Sequence, residues 1–243
     1  MGPLTMDHTA VLAPLTLDCD QLSVREVNAV LQGLPEGSQV KVVAPQGRHN
    51  LAVGLPRAIT ITIDGNAGYF VGGLGGAPDG NGPDIVVNGF VGWSVGENLM
   101  GGTIRVRGSA SQSAGSSARG GRIFVEGHAS LRAGISLKGG AVAIAGNAGA
   151  MTGFMAQAGT ILIGGNAGHA LGDSLYEAVI YVHGTIASLG ADAVVEEMTD
   201  DDVLAVKHLV EQSGFDHIDP DRVTKVASAR QLYHFSTSQH GTY

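Results

Sequence analysis

Aromatic residues are scarce in this chain, basic residues are few, and Cys19 is the only cysteine. With no second thiol an internal disulfide is excluded, so the fold must hold by burial and hydrogen bonding, as expected in a reducing cytoplasm. Only 14 of the 243 residues are Lys or Arg, against 22 Asp or Glu. A net charge of −8 without any basic run argues against nucleic acid as a partner. Glycines interrupt every apolar window, so no segment has the uninterrupted length of a membrane helix. A basic-then-apolar leader is also missing, and a cytoplasmic location is the expectation. Aromatics at 5% beside 38 glycines would suit a low-complexity segment if the glycines were not positional.

They are positional. Seven short apolar runs each close on a glycine: Gly65, Gly89, Gly108, Gly127, Gly146, Gly165 and Gly184. From Gly89 onward the spacing is 19 residues; the first gap is 24, with the surplus in the segment Gly75–Asp84. Four and two residues before each glycine stand β-branched pairs: Ile61/Ile63, Ile85/Val87, Ile104/Val106, Ile123/Val125, Val142/Ile144, Ile161/Ile163 and Ile180/Val182. That alternation specifies a strand with one buried face. Further glycines recur seven residues on (Gly72 to Gly172) and thirteen residues on (Gly102 to Gly159). The period is too short for a propeller blade, lacks a leucine-rich pattern, and is not a multiple of six. What remains is an all-β solenoid, a right-handed parallel β-helix of about seven 19-residue coils with short flanking helices at both ends. Sharp turning is the expected reason for the closing glycines, and a β-branched residue at Gly127 or Gly146 is expected to destabilise the fold if these glycines adopt positive φ.

Other columns of the repeat follow. Counted from the closing glycine, position +2 (Ala67, Val91, Ala110, Ala129, Ala148, Ala167, Ile186), position +6 (Val71 to Leu171) and position +10 (Leu99 to Leu175) are small or apolar and are predicted to face inward. Asn66, Asn147 and Asn166 at +1 suggest an amide ladder at a bend. Arg107 and Glu126 share a position on adjacent coils and read as an outward ion pair.

Residues 1–58 form an N-terminal extension and cap, 59–191 the β-helix, and 192–243 a C-terminal helical cap and partner-binding tail. Residues 1–18 read as extended and partly disordered. Ser23 with Glu26 makes a capping box for a helix ending at Gly33, with Val24, Val27, Val30 and Leu31 on its apolar face. A strand at 39–43 and the apolar segment 51–55 are expected to cover the first coil. Thr199 caps a second helix ending at Gly214, and Asp219-Pro220 is expected to start a third, carrying Val223 and Val226.

No catalytic, cofactor-binding or metal-binding constellation emerges. Glu97 and Asp173 share a position four coils apart, roughly 19 Å at the strand spacing, beyond the reach of a paired-carboxylate glycosidase site. The nine histidines are scattered. Charge is uneven: residues 103–140 hold six cations against Glu126, and residues 192–221 hold ten acids against Lys207. Solvated faces or docking patches both fit this asymmetry. The interface candidates are Arg119, Arg122 and Arg132, the polar run Asp173, Ser174, Tyr176 and Glu177, and Tyr233 with Phe235 near the end of the chain.

The pattern in Gly65-Asn-Ala-Gly68 through Gly72, and in Gly146-Asn-Ala-Gly149 through Gly153, resembles the GXGXG domain. That is the β-helical C-terminal domain of the glutamate synthase large subunit, and formylmethanofuran dehydrogenase has it in one of its subunits. The blocks Pro45-Gln-Gly-Arg-His49, Ser111-Gln-Ser-Ala-Gly115, Gly134-Ile-Ser-Leu-Lys-Gly139, Gly172-Asp-Ser-Leu-Tyr-Glu-Ala178 and Arg230-Gln-Leu-Tyr-His-Phe235 are most similar to the stand-alone β-helix subunits of N-methylglutamate synthase complexes. The resemblance implies a structural subunit that orients two others. One is a class II glutamine-amidotransferase-like subunit; the other is an FMN-binding synthase subunit that also holds an iron–sulfur cluster. It implies no cofactor on this chain. The reaction would exchange the amino group of glutamate for methylamine, or in the glutamate synthase version make glutamate from glutamine and 2-oxoglutarate.

Overall fold

The computed structural model describes residues 14–230. Nine parallel strands stack in chain order: β1 (Leu15–Asp18), β2 (Gln39–Val43), β3 (Thr60–Asp64), β4 (Asp84–Val87), β5 (Thr103–Val106), β6 (Arg122–Val125), β7 (Lys138–Ile144), β8 (Ala158–Ile163) and β9 (Val179–Val182). Register follows the repeat. Ile61, Ile85, Ile104, Ile123, Val142, Ile161 and Ile180 are successive partners across the ladder. A second ladder of single bridges runs from Ala67 through Val91, Ala110, Ala129, Ala148 and Ala167 to Ile186. The all-β solenoid is therefore the fold.

The interior is built from the expected columns. Every residue of the −4 and −2 pairs from Ile61 to Val182 is buried, as are Val71, Val95, Ala114, Ala133, Thr152 and Leu171 at +6 and Leu99, Ala118, Leu137, Ala156 and Leu175 at +10. Each buried Ile, Leu or Val contributes about 1.5–3 kcal/mol, so the columns are the main source of stability.

Closing glycines serve a different purpose from the one expected. Only Gly65 has positive φ, at 134°; positive φ belongs to the later glycines such as Gly134, at 67°. At Gly127 an added Cβ would lie 2.8 Å from the Gly108 carbonyl oxygen, and at Gly146 it would lie 2.7 Å from that of Gly127. Glycine stands there because successive coils touch backbone to backbone.

The sheet also reaches further than the repeat. Strand β2 pairs in register with β3, and β1 pairs with β2, so the 39–43 strand continues the stack rather than covering it. Leu51 and Leu55 are buried in the same core. The end is closed by α1 (Val24–Gly33), whose Ser23–Glu26 capping box is formed and whose Val27 and Leu31 are buried. At the other end β11 (Thr224–Ser228) lies antiparallel between β9 and β10 (Ala193–Glu196). The third helix expected from Asp219-Pro220 is a single 3₁₀ turn, Pro220–Arg222. Val226 belongs to strand β11 instead, because the open edge of β9 is closed by pairing.

Helix α2 (Asp200–Ser213) is capped by Thr199 and by Gly214 in the left-handed conformation, as expected. It does not sit at the end of the solenoid. With the following loop it lies on the outer face of the sheet, where Val206, Leu209, Phe215 and Ile218 pack on Phe124, Ala143, Leu162 and Tyr181. Among the described residues no helix is long and apolar enough to cross a membrane.

Candidate functional site

Five of the six cations of the 103–140 stretch divide into two groups. Arg105 and Arg107 both bind Glu126, at 3.2 and 2.6 Å. Arg105 further donates to the Ser213 carbonyl at 2.7 Å and the Gln212 carbonyl at 3.2 Å, and its guanidinium lies 5.0 Å from the Phe124 ring centroid. A cation thus meets the negative end of the α2 dipole. Arg119, Arg122 and Arg132 are exposed, and none forms an ion pair among the described residues. Arg132 makes a 3.8 Å contact to the Met151 sulfur.

Arg119 and Arg122 bracket Gly120-Gly121, and that pair stacks between Gly101-Gly102 and Gly139-Gly140. A Cβ on Gly121 would lie 2.8 Å from the Gly102 carbonyl oxygen. The result is a flat corner edged with positive charge. Beside it runs a groove of about 360 Å³ lined by Asp84, Val86, Thr103, Arg105, Arg122 and Gln212.

The polar run of the sixth coil is largely absorbed by the fold. Asp173 accepts from the Ser174 hydroxyl at 2.8 Å and from the Ala191 amide at 3.3 Å, tying down the last turn. Ser174 is left-handed, with φ of 54°. Glu177 pairs with Arg230 at 3.0 Å on the surface, and Tyr176 is half-buried. Much of the run is thus committed to holding the last coil and the end of the sheet. Tyr233 and Phe235 lie outside the described residues.

Among the described residues no three His, Cys, Asp or Glu side chains converge as a metal site would require. Cys19 is buried, and that burial pushes its thiol above the ordinary value, opposite to the shift that makes a thiolate reactive.

The +1 ladder is longer than the three asparagines. Asn66, Asn147 and Asn166 each accept from the backbone amide one coil on, at 3.1, 2.8 and 2.9 Å. Ser109 and His128 do the same at 3.0 and 2.9 Å.

Sequence reasoning missed an aromatic column. His49 stacks on Tyr69 with centroids 4.2 Å apart, and Tyr69 stacks on Trp93 at 5.0 Å. Phe70 meets Tyr69 edge-on at 6.5 Å. The Tyr69 amide donates to His49 Nδ1 at 2.9 Å, fixing that ring. Its signal was present: Tyr69 and Trp93 share position +4, where the next coil has Gln112.

Comparison with known proteins gives a consistent placement. The chain is 46% identical over 230 residues to Protein GlxC of Rhizobium meliloti strain 1021, covering 93% of this chain and 99% of that protein. No protein-family model matches it. At that identity and coverage, the chain belongs to the GlxC family.

Proposed function

We propose that this chain is a structural subunit of a glutamate-synthase-like complex, of the N-methylglutamate synthase type. It holds an amidotransferase-like subunit and an FMN and iron–sulfur synthase subunit in register, while they convert methylamine and glutamate to N-methylglutamate and ammonia. The observation that carries the reading is the Arg119–Arg122 corner: cations held outward on a rigid solenoid without ion-pair partners among the described residues. A surface of this kind is suited to receiving an acidic partner rather than to binding a small molecule. Full-length similarity to Protein GlxC and the resemblance of the coil sequences to β-helix subunits of such complexes point the same way.

The test is gentle affinity purification of the native protein, weighing the chains that accompany it and recording flavin absorbance. Two companions with bound flavin are expected. Methylamine with glutamate, set against glutamine with 2-oxoglutarate, then distinguishes the two versions of the reaction. A lone, colourless chain under conditions that preserve complexes would overturn the reading.

A further inference from the structure

Four exposed aromatic side chains lie on two successive coils. Tyr69, Phe70, Phe90 and Trp93 are 36%, 39%, 54% and 47% exposed. The first two and Trp93 are in ring contact; Phe90 precedes Trp93 by three residues on the same coil.

The solenoid does not need them. Phe90 interrupts the +1 ladder, whose other rungs use Asn, Ser or His as acceptors. Phe70 is left-handed, with φ of 61°, at a position that the following coils fill with Ser94, Ser113, Arg132, Met151 and Ala170 at 54° to 61°. A bulky side chain in that region is held against its own preference. The column is also accommodated by the backbone: a Cβ on Gly92 would lie 2.5 Å from Tyr69 Cδ1. The four rings are exposed and belong to neither of the two buried clusters.

We propose that this face is a two-fold contact between copies of this chain, the Tyr69–Trp93 column with Phe70 and Phe90 packing on the same surface of a second molecule. A two-fold interface requires a patch complementary to itself. Uncharged rings meet that condition; the cationic Arg119–Arg122 edge, facing its own copy, would repel. The size also fits. At their observed exposures the four rings present roughly 350 Å² of apolar surface. That is within the range at which an apolar patch is commonly functional. It is also close to half of the roughly 800 Å² per partner in a standard interface, whose area is a little over half apolar.

Trp93, the only tryptophan, reports on this contact directly. The full-length protein should be a dimer by light scattering at micromolar concentration, and its tryptophan emission should shift to the blue as concentration rises. Phe70→Ser with Phe90→Asn gives two positions the residue types found there in other coils and keeps the reporter. It should weaken association at least tenfold and abolish the concentration-dependent shift, with the melting transition retained. Phe90→Asn alone is the milder variant should the pair fold poorly, and Arg119→Glu should leave the dimer intact. A protein that is monomeric up to roughly 100 µM with unchanging emission would overturn the proposal. So would a dimer indifferent to these substitutions. Loss of a different co-purifying protein in the variants, from a chain that is itself monomeric, would overturn it too and assign the face to that protein instead.

Discussion

The phenol of Tyr181 donates a 2.6 Å hydrogen bond to Oδ1 of Asp202, joining the last parallel strand to the helix laid across it. Asp202 is also the third residue of the α2 capping box, where it receives Thr199 N–H at 2.9 Å, and it receives Lys225 Nζ of β11 at 3.0 Å. One carboxylate therefore fastens strand, helix and closing strand. Burial alone would raise the Asp202 carboxyl, but the hydrogen bonds from Tyr181, Thr199 and Lys225 outweigh it and hold the group well below the usual carboxylate range. A depressed native value contributes stability above the unfolded value and loses it as pH falls. Asp202→Asn should therefore cost about 2–4 kcal/mol at pH 7, with the gap from the parent narrowing as pH falls below about 4. Urea titrations at a series of pH values check this.

The same cluster sets the alkaline limit. Burial, then the hydrogen bond and charge of Asp202, raise the Tyr181 phenol above its ordinary value. Lys225 is also raised: burial opposes its charge, and the bonds to Asp202 and Glu196 more than compensate. Both groups keep their protons longer folded than unfolded, so stability should decline as pH rises beyond about 10. Tyr181→Phe should flatten part of that decline in thermal melts between pH 9 and pH 11 (roughly the unperturbed phenol range). An unchanged slope would remove Tyr181 from the account.

Backbone contact between coils, rather than dihedral preference, should govern the closing glycines. Gly127→Ala and Gly146→Ala are expected to cost about 1–3 kcal/mol each through overpacking, although neither glycine has positive φ. Gly33 is the control: nothing lies within 4 Å of a Cβ placed there, and Gly33→Ala should be neutral or stabilising by up to about 1 kcal/mol. Denaturant midpoints of the three variants decide it.

Why the coils were readable and the ends were not follows from these residues. A strict period converts each inward position into a column, so Ile104 and Ile123 can be paired from sequence alone. The reason for glycine at 127 could not be read, because it lies in the distance to the Gly108 carbonyl, a contact between coils. Val223 and Val226, spaced by three, mimic one helical face, yet Thr224, Val226 and Ser228 equally alternate as a strand; only the open edge of β9 decides between them. The outward column Phe124, Ala143, Leu162 and Tyr181 held the signal that something packs outside the sheet. In the site, Arg119 and Arg122 could be chosen for their charge, whereas Arg105, from the same basic stretch, is committed to a helix end distant in sequence.

Arg105 should behave as a fixture of that helix end rather than as part of a docking surface. Its fork reaches the Ser213 and Gln212 carbonyls while holding Glu126. Lysine cannot reproduce a planar, multiply donating contact. Arg105→Lys is therefore expected to lose about 1–2 kcal/mol and to raise amide exchange in the last turn of α2 and in the Phe215 loop, leaving exchange in β2–β4 unchanged. Uniform loss of protection would contradict a local role.

Arg119 and Arg122 should show the opposite profile. Being exposed and without ion pairs among the described residues, they contribute little to folding, and Arg119→Glu with Arg122→Glu should change stability by under about 0.5 kcal/mol. If they receive an acidic partner, the double reversal should reduce co-purification of that partner at least tenfold at low salt. For the parent, binding should fall steeply with ionic strength, since exposed charges are screened beyond about 8 Å at physiological salt. Tyr176→Ala, at the Arg119 position of the repeat but three coils further along the stack, tests the sixth coil; its effect on assembly should add to that of the reversal if the two coils are bound independently. A reversal that assembled normally would remove the corner from the interface, and one that assembled normally yet lost turnover would show that this chain supplies groups to the reaction itself.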